Sequence, residues 1–153
     1  MNKPRLLYFH QDEFRGWFER MDTRHLVLID ALRGVWGMRI RVSPAEGAIG
    51  REAGAGTSYH NFARYGLVRA CDYFPDGLLC REDVIRFVGL ARDIGFAGIG
   101  VYPHWHIDGK QQAGIHLDTR PAARGELALW GAINSPVGKQ AYVSYREALE
   151  AIA

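Results

Sequence analysis

The sequence predicts an α+β domain, with helices packed on a small, mostly antiparallel sheet. Three observations lead there. Two stretches of about 14 residues carry apolar side chains at helical spacing between recognisable caps. Four short apolar runs end at Pro, Gly or Asp-Gly turns, as strands do. The last two of these runs are joined by a polar stretch short enough to be a hairpin connection, so the sheet is read as antiparallel and the architecture as helices on one sheet.

In order along the chain, Asp22 is placed to cap a helix. Leu26, Ile29, Leu32, Val35 and Trp36 fall on one face, and Gly37 ends it. Residues 38–42 alternate and read as a strand stopped by Ser43-Pro44. Residues 45–57 carry Gly47, Gly50, Gly54 and Gly56 and read as a loop that delivers the chain to His60. A second strand is expected over 67–74, turned by Pro75-Asp76-Gly77. Residues 81–94 form an amphipathic helix with Val84, Ile85, Phe87, Val88 and Ala91 on its apolar side and Gly95 as its cap. Residues 97–102 give a third strand, broken by Pro103, and 114–119 a fourth. Residues 104–113 connect them, and 145–153 make a short terminal helix. With no repeat, low-complexity tract or linker, residues 1–153 read as a single domain of ordinary core size.

Composition narrows the function classes. A hydrophobic fraction of 48% argues for a folded globule rather than a disordered chain. The formal charge of +2, without a dense Lys/Arg run, is too weak to imply a nucleic-acid partner. Cys71 and Cys80 have neither structural-zinc spacing nor the number for a disulfide framework, so both are expected reduced and at least partly buried. The first residues reach Gln11-Asp12-Glu13 after only a few apolar positions. No signal-peptide core or membrane span is expected, and the reading is a monomer made in a cytoplasm.

The chemistry lies in two segments, Ser58-Tyr59-His60-Asn61 leading to Arg69-Ala70-Cys71-Asp72, and Gly114 to Arg120. His60, Asp72 and His116 supply two imidazoles and a carboxylate, enough to hold a catalytic zinc with one position open for water. Each histidine has a plainer reading, as a surface residue or a hydrogen-bonded core residue. Asp72 is the less ordinary member, because a charge within the apolar run Val68 to Phe74 needs a partner. His116 and Asp118 alternate on a strand and share a face. Asp118 is therefore a candidate general base, and equally a residue that orients His116 or pairs with Arg120. His104, His106 and Asp108 in the connection are placed to fold over the site; alternatively His104 and His106, flanking Trp105, form a fortuitous second metal-binding pair or are solvated, and for His106 solvation is preferred. Cys71, next to Asp72, is expected on the opposite, core face.

Ser58-x-His60, the later Asp72, Gly98-Ile99-Gly100-Val101-Tyr102-Pro103 and Ile115-His116-Leu117-Asp118-Thr119-Arg120 resemble the zinc D-alanyl-D-alanine carboxypeptidase family. That family includes carboxypeptidases, dipeptidases and the L-alanyl-D-glutamate endopeptidases of phage lysins. It shares a small α+β fold with the hedgehog signalling domain. Tyr8-Phe9 with Glu13-Phe14 is similar to its N-terminal segment, so the likeness runs from about residue 8 to 131. The resemblance implies zinc held by His60, Asp72 and His116, and peptide-bond hydrolysis in the stem peptides of bacterial peptidoglycan. It also implies a substrate-carboxylate site at Arg51, chosen over Arg41, Arg69 and Arg120, and a substrate or loop-bracing role for Ser58. Tyr102 and Trp130 are candidates to line the cleft or to be core. A phage or prophage enzyme, released to the wall or carried on a virion, fits the expected lack of a signal peptide.

Two departures stand out. His60 and Asp72 are twelve residues apart where the family usually has seven, as though Phe62 to Tyr65 were a small insertion. Many members carry an acid three residues before the last histidine; here it is Ala113, which cannot take a proton. This second departure keeps an alternative open, a non-catalytic metal-binding or structural module that retains the fold. A third reading is a small metal-dependent amidase acting on the sugar–peptide linkage.

Overall fold

The computed structural model describes residues 2–54, 56–123 and 125–153. Its first long helix, α1 (Thr23–Trp36), starts at Asp22, whose side chain accepts from the Arg24 backbone N–H, and ends at Gly37. Leu26, Ile29, Leu32 and Trp36 are buried as expected, whereas Val35 is 59% exposed. The buried arc is centred near Ile29 and turned toward His25 and Asp30 instead, which leaves Val35 beyond its edge. Asp30 is on that arc for a reason. Its carboxylate accepts from the backbone N–H groups of Leu7, Tyr8 and Phe9 at 2.8, 2.9 and 2.9 Å, and so latches the N-terminal segment onto the helix.

The strands in chain order are β1 (Ile40–Val42), β2 (Ala70–Pro75), β3 (Gly98–Tyr102), β4 (His106–Ile107), β5 (Lys110–Gln111), β6 (Gly114–Asp118), β7 (Ala128–Asn134) and β8 (Gln140–Val143). Six of them form one sheet in the order β1-β2-β6-β3-β7-β8. Only the β3–β7 pair is parallel, so the sheet is mostly antiparallel. The 104–113 connection is a hairpin of β4 and β5. The expected strands are present but shorter, the one expected over 67–74 beginning only at Ala70. The edge pair β7–β8 escaped the sequence reading, because the apolar run over 127–133 fits a strand or a buried helix segment alike and β8 is exposed or half-exposed throughout.

Residues 62–65, read above as an insertion, are a single helical turn, α2 (Phe62–Tyr65), capped by Asn61. The second long helix, α3 (Arg81–Ile94), buries Val84, Phe87, Val88 and Ala91, but Ile85 is 47% exposed on its flank. The last helix, α4 (Tyr145–Glu150), stops short of the terminus and is opened by a capping box between Ser144 and Glu147.

Strand alternation divides the sheet into two faces. Cys71, Tyr73, Ile99, Val101, Ile115 and Leu117 point into one hydrophobic core with the apolar residues of α1 and α3. Asp72, Tyr102, His116, Asp118, Trp130 and Tyr142 line a cleft on the other face. Both cysteines are free, Cys71 in the core and Cys80 partly exposed. Among the described residues, no helix is long and apolar enough to cross a membrane.

Candidate metal centre

The sheet register brings Asp72 of β2 directly opposite His116 of β6. His60 arrives from the glycine-rich loop. There the Arg51 N–H donates to the His60 carbonyl, and the Ser58 hydroxyl accepts from the His60 N–H at 3.3 Å. His60 Nε2 lies 3.2 Å from His116 Nδ1 and 3.4 Å from Asp72 Oδ1, and His116 Nδ1 is 3.0 Å from the same carboxylate oxygen. A tetrahedral ion with ligand bonds near 2.0–2.1 Å has its ligand atoms about 3.3 Å apart. The three donor atoms therefore form one nearly complete ligand face, and the triad is able to hold a metal ion.

The other ring nitrogens fix the tautomers. His60 Nδ1 is 2.7 Å from the Ile49 carbonyl, which can only accept, so Nδ1 carries the proton and Nε2 offers its lone pair. His116 Nε2 donates to Asp118 Oδ2 at 2.8 Å and leaves Nδ1 facing the other two donors. Each histidine is thus oriented from behind by an acceptor, the arrangement metal-bound imidazoles use.

Asp118 is itself held. Arg120 grips it with two bonds, Nε to Oδ1 at 2.8 Å and Nη2 to Oδ2 at 2.7 Å, and the Arg120 N–H adds a third at 3.1 Å. The Arg120 guanidinium lies between the rings of Tyr59 and Trp130, 5.0 and 5.1 Å from their centroids. Gly98 faces this carboxylate, and a Cβ there would overlap it. At Gly100 a Cβ would overlap the Trp130 indole. Two glycines on the cleft face of β3 thereby let Asp118 and Trp130 lie flat on the sheet.

Charge is balanced inside this cluster. Burial works against a charged His116, yet its bonds to Asp118 and Asp72 outweigh it and raise the imidazole to about 9. Burial would likewise raise Asp72, but the hydrogen bonds from His116 and His60 bring it down to about 2. Asp118 is buried too, and Arg120 and His116 together hold it well below the usual carboxylate range. Without a metal, then, His116 is a cation between two carboxylates. His116 would have to give up its Nδ1 proton to ligate a divalent ion, so binding there would release protons.

The structure brings His60, Asp72, His116 and Asp118 into one cluster and puts Arg51, Ser58, Tyr102 and Trp130 around the same cleft of about 360 Å³. Ser58 braces the His60 turn. Arg41, Arg69 and Arg120 are paired with Asp108, Asp22 and Asp118, whereas Arg51, exposed at the cleft, has no carboxylate partner among the described residues. The connecting hairpin does not carry its histidines over the site. His104 accepts from the Asn134 N–H, His106 is exposed, and Asp108 bonds Arg41. Trp105 is what reaches the cleft from that hairpin, stacked on Tyr102 with ring centroids 4.1 Å apart. Neither Trp105 nor the Ile49 carbonyl was singled out from sequence. A backbone acceptor leaves no side-chain signature, and an aromatic in a polar hairpin reads as surface. Compared with protein-family models, with curated proteins and with solved structures, the chain matches none.

Proposed function

We infer that the chain is a zinc-dependent peptidase acting on the stem peptides of bacterial peptidoglycan. The single observation that carries this reading is the triangle of His60 Nε2, Asp72 Oδ1 and His116 Nδ1 at the bottom of an open cleft. Two imidazoles and one carboxylate suit zinc. The motifs around them resemble those of the zinc D-alanyl-D-alanine carboxypeptidases, and we take the fold to be the small α+β fold of that family. When bound, the zinc would polarise a scissile carbonyl and lower the pKa of water at its open position. The chain's own residues divide the remaining work. Asp118 orients His116 and Arg120 orients Asp118. Arg51, which donates its Nε–H to the Gly47 carbonyl and has no carboxylate partner among the described residues, takes a carboxylate of the stem peptide. Asp118 serves here as a positioning residue, since both of its oxygens are engaged.

One observation favours the alternative, a metal-binding module without turnover. Among the described residues, the cleft contains no carboxylate besides Asp72 and Asp118, and Ala113 stands where an acid would serve as base. Metal content of the wild type and of His116→Ala, together with release of new amino groups from purified peptidoglycan, separates the readings. The peptidase requires about one zinc per chain, lost in the variant, and new amino termini in the digest. Zinc without cleavage selects the binding module. No metal after zinc is supplied removes both.

A further inference from the structure

Tyr102 ends β3 on the cleft face, two residues along the strand from the Gly100–His116 pair. Its ring is clamped against Trp105 at an interplanar angle of 18°. Its hydroxyl oxygen accepts from the Trp130 Nε1–H at 3.2 Å, and the Trp130 ring is in turn 5.1 Å from that of His116. A phenol that accepts from an indole must point its own hydrogen elsewhere. No protein acceptor takes that hydrogen among the described residues, and the hydroxyl borders the cleft. Burial pushes the phenol up to about 12, so it keeps its proton at neutral pH and acts as a donor, not a base.

We propose that Tyr102 is a catalytic residue that donates a hydrogen bond to the oxygen of the scissile carbonyl as negative charge develops on it, with Trp130 as the positioning residue that aims the hydroxyl. This rests on the peptidase reading above. The hydroxyl gives a hydrogen bond and retains its proton, so no bond to Tyr102 forms or breaks. A donor fixed by stacking on one side and by an indole on the other needs no reorganisation at the moment of reaction, and such donors act chiefly on the transition state.

The experiment compares wild type with Tyr102→Phe, which keeps the ring and its stacking. Three quantities are measured on the zinc-loaded full chain: zinc affinity, steady-state cleavage of stem peptides, and calorimetric binding of phosphinate isosteres of the stem-peptide bonds, whose tetrahedral anion mimics the developing charge. Loss of one such donor costs about 10²-fold. The variant should lose about that factor in kcat with KM little changed, and a similar factor in phosphinate affinity, with zinc affinity unaltered. Trp130→Phe should move the same two quantities by less. Unchanged phosphinate affinity in Tyr102→Phe, no phosphinate binding by the wild type, or a parallel loss of zinc overturns the assignment. If the wild type cleaves no stem peptide, the peptidase reading and the catalytic role fall together, whereas cleavage with unchanged phosphinate affinity in Tyr102→Phe overturns the role of Tyr102 alone.

Discussion

At the scale of single residues, the centre depends on a relay that runs from Arg120 through Asp118 to His116. The guanidinium fixes the carboxylate, the carboxylate fixes the Nε2–H tautomer, and only that tautomer leaves Nδ1 free for a metal. Asp118→Asn tests the relay. An asparagine keeps the shape but loses the charge, and it can turn an NH₂ toward His116 where an acceptor is needed. Zinc affinity is expected to fall about 10–100-fold, as is usual when a partner behind a ligand is lost. Competition titration against a chromogenic chelator measures it. The opposite pattern, intact zinc affinity with turnover nearly abolished, would assign Asp118 as the general base and refute the positioning role.

At the scale of elements, Asp30 does for the N-terminal segment what Asp118 does for His116. One carboxylate on the buried arc of α1 takes three consecutive backbone N–H groups, so the segment from Leu7 to Phe9 is fastened at a point where it forms neither helix nor strand. Asp30→Ala removes the acceptor while leaving a good helix former. It should cost about 3 kcal/mol of stability, the scale of hydrogen bonds to a charged group. The Leu7, Tyr8 and Phe9 amides should then exchange at nearly unprotected rates. Continued protection of those amides would mean that packing of Phe9, not the carboxylate, holds the segment.

Asp30 also marks the limit of what periodicity can tell. The apolar stripe located α1 and its caps correctly because spacing and capping are local. It then assigned Val35 to the core and passed over His25 and Asp30, because a buried polar residue is recognisable only through its distant partners. The candidate ligands were legible for the opposite reason. His116 and Asp118 alternate on one strand, and the charge of Asp72 stands out in an apolar run. The Ile49 carbonyl is a backbone acceptor, the Trp105 stack on Tyr102 sits within a polar connection, and the apolar run of β7 fits a strand or a buried helix segment alike, so none of them stands out in local pattern.

At the scale of the whole molecule, two histidines with opposite shifts shape stability against pH. His25 is wholly buried between the Arg69 carbonyl and the Tyr73 hydroxyl, and desolvation lowers it from 6.5 to about 4. Above pH 6.5 it is neutral in both folded and unfolded chains. As pH falls from 6.5 to 4 the unfolded chain takes up the proton first, so stability declines, by about 3 kcal/mol over that window. His116 runs the other way. Raised from 6.5 to about 9, it contributes stability that is complete below pH 6.5 and lost as pH rises through 9. The metal-free protein should therefore be most stable near pH 6.5 and weaken on both sides. Asp72, lowered from 3.8 to about 2, adds a further loss only below pH 3.8. Zinc held at the triad would displace the Nδ1 proton of His116, so on the proposed reading the loaded protein should lose the alkaline decline and keep the acid one. Denaturant unfolding from pH 4 to 9, with and without zinc, measures both limbs. An alkaline limb that persists unchanged with zinc bound would show that His116 is not a ligand. A flat acid limb in wild type would show that His25 is not held neutral by the fold.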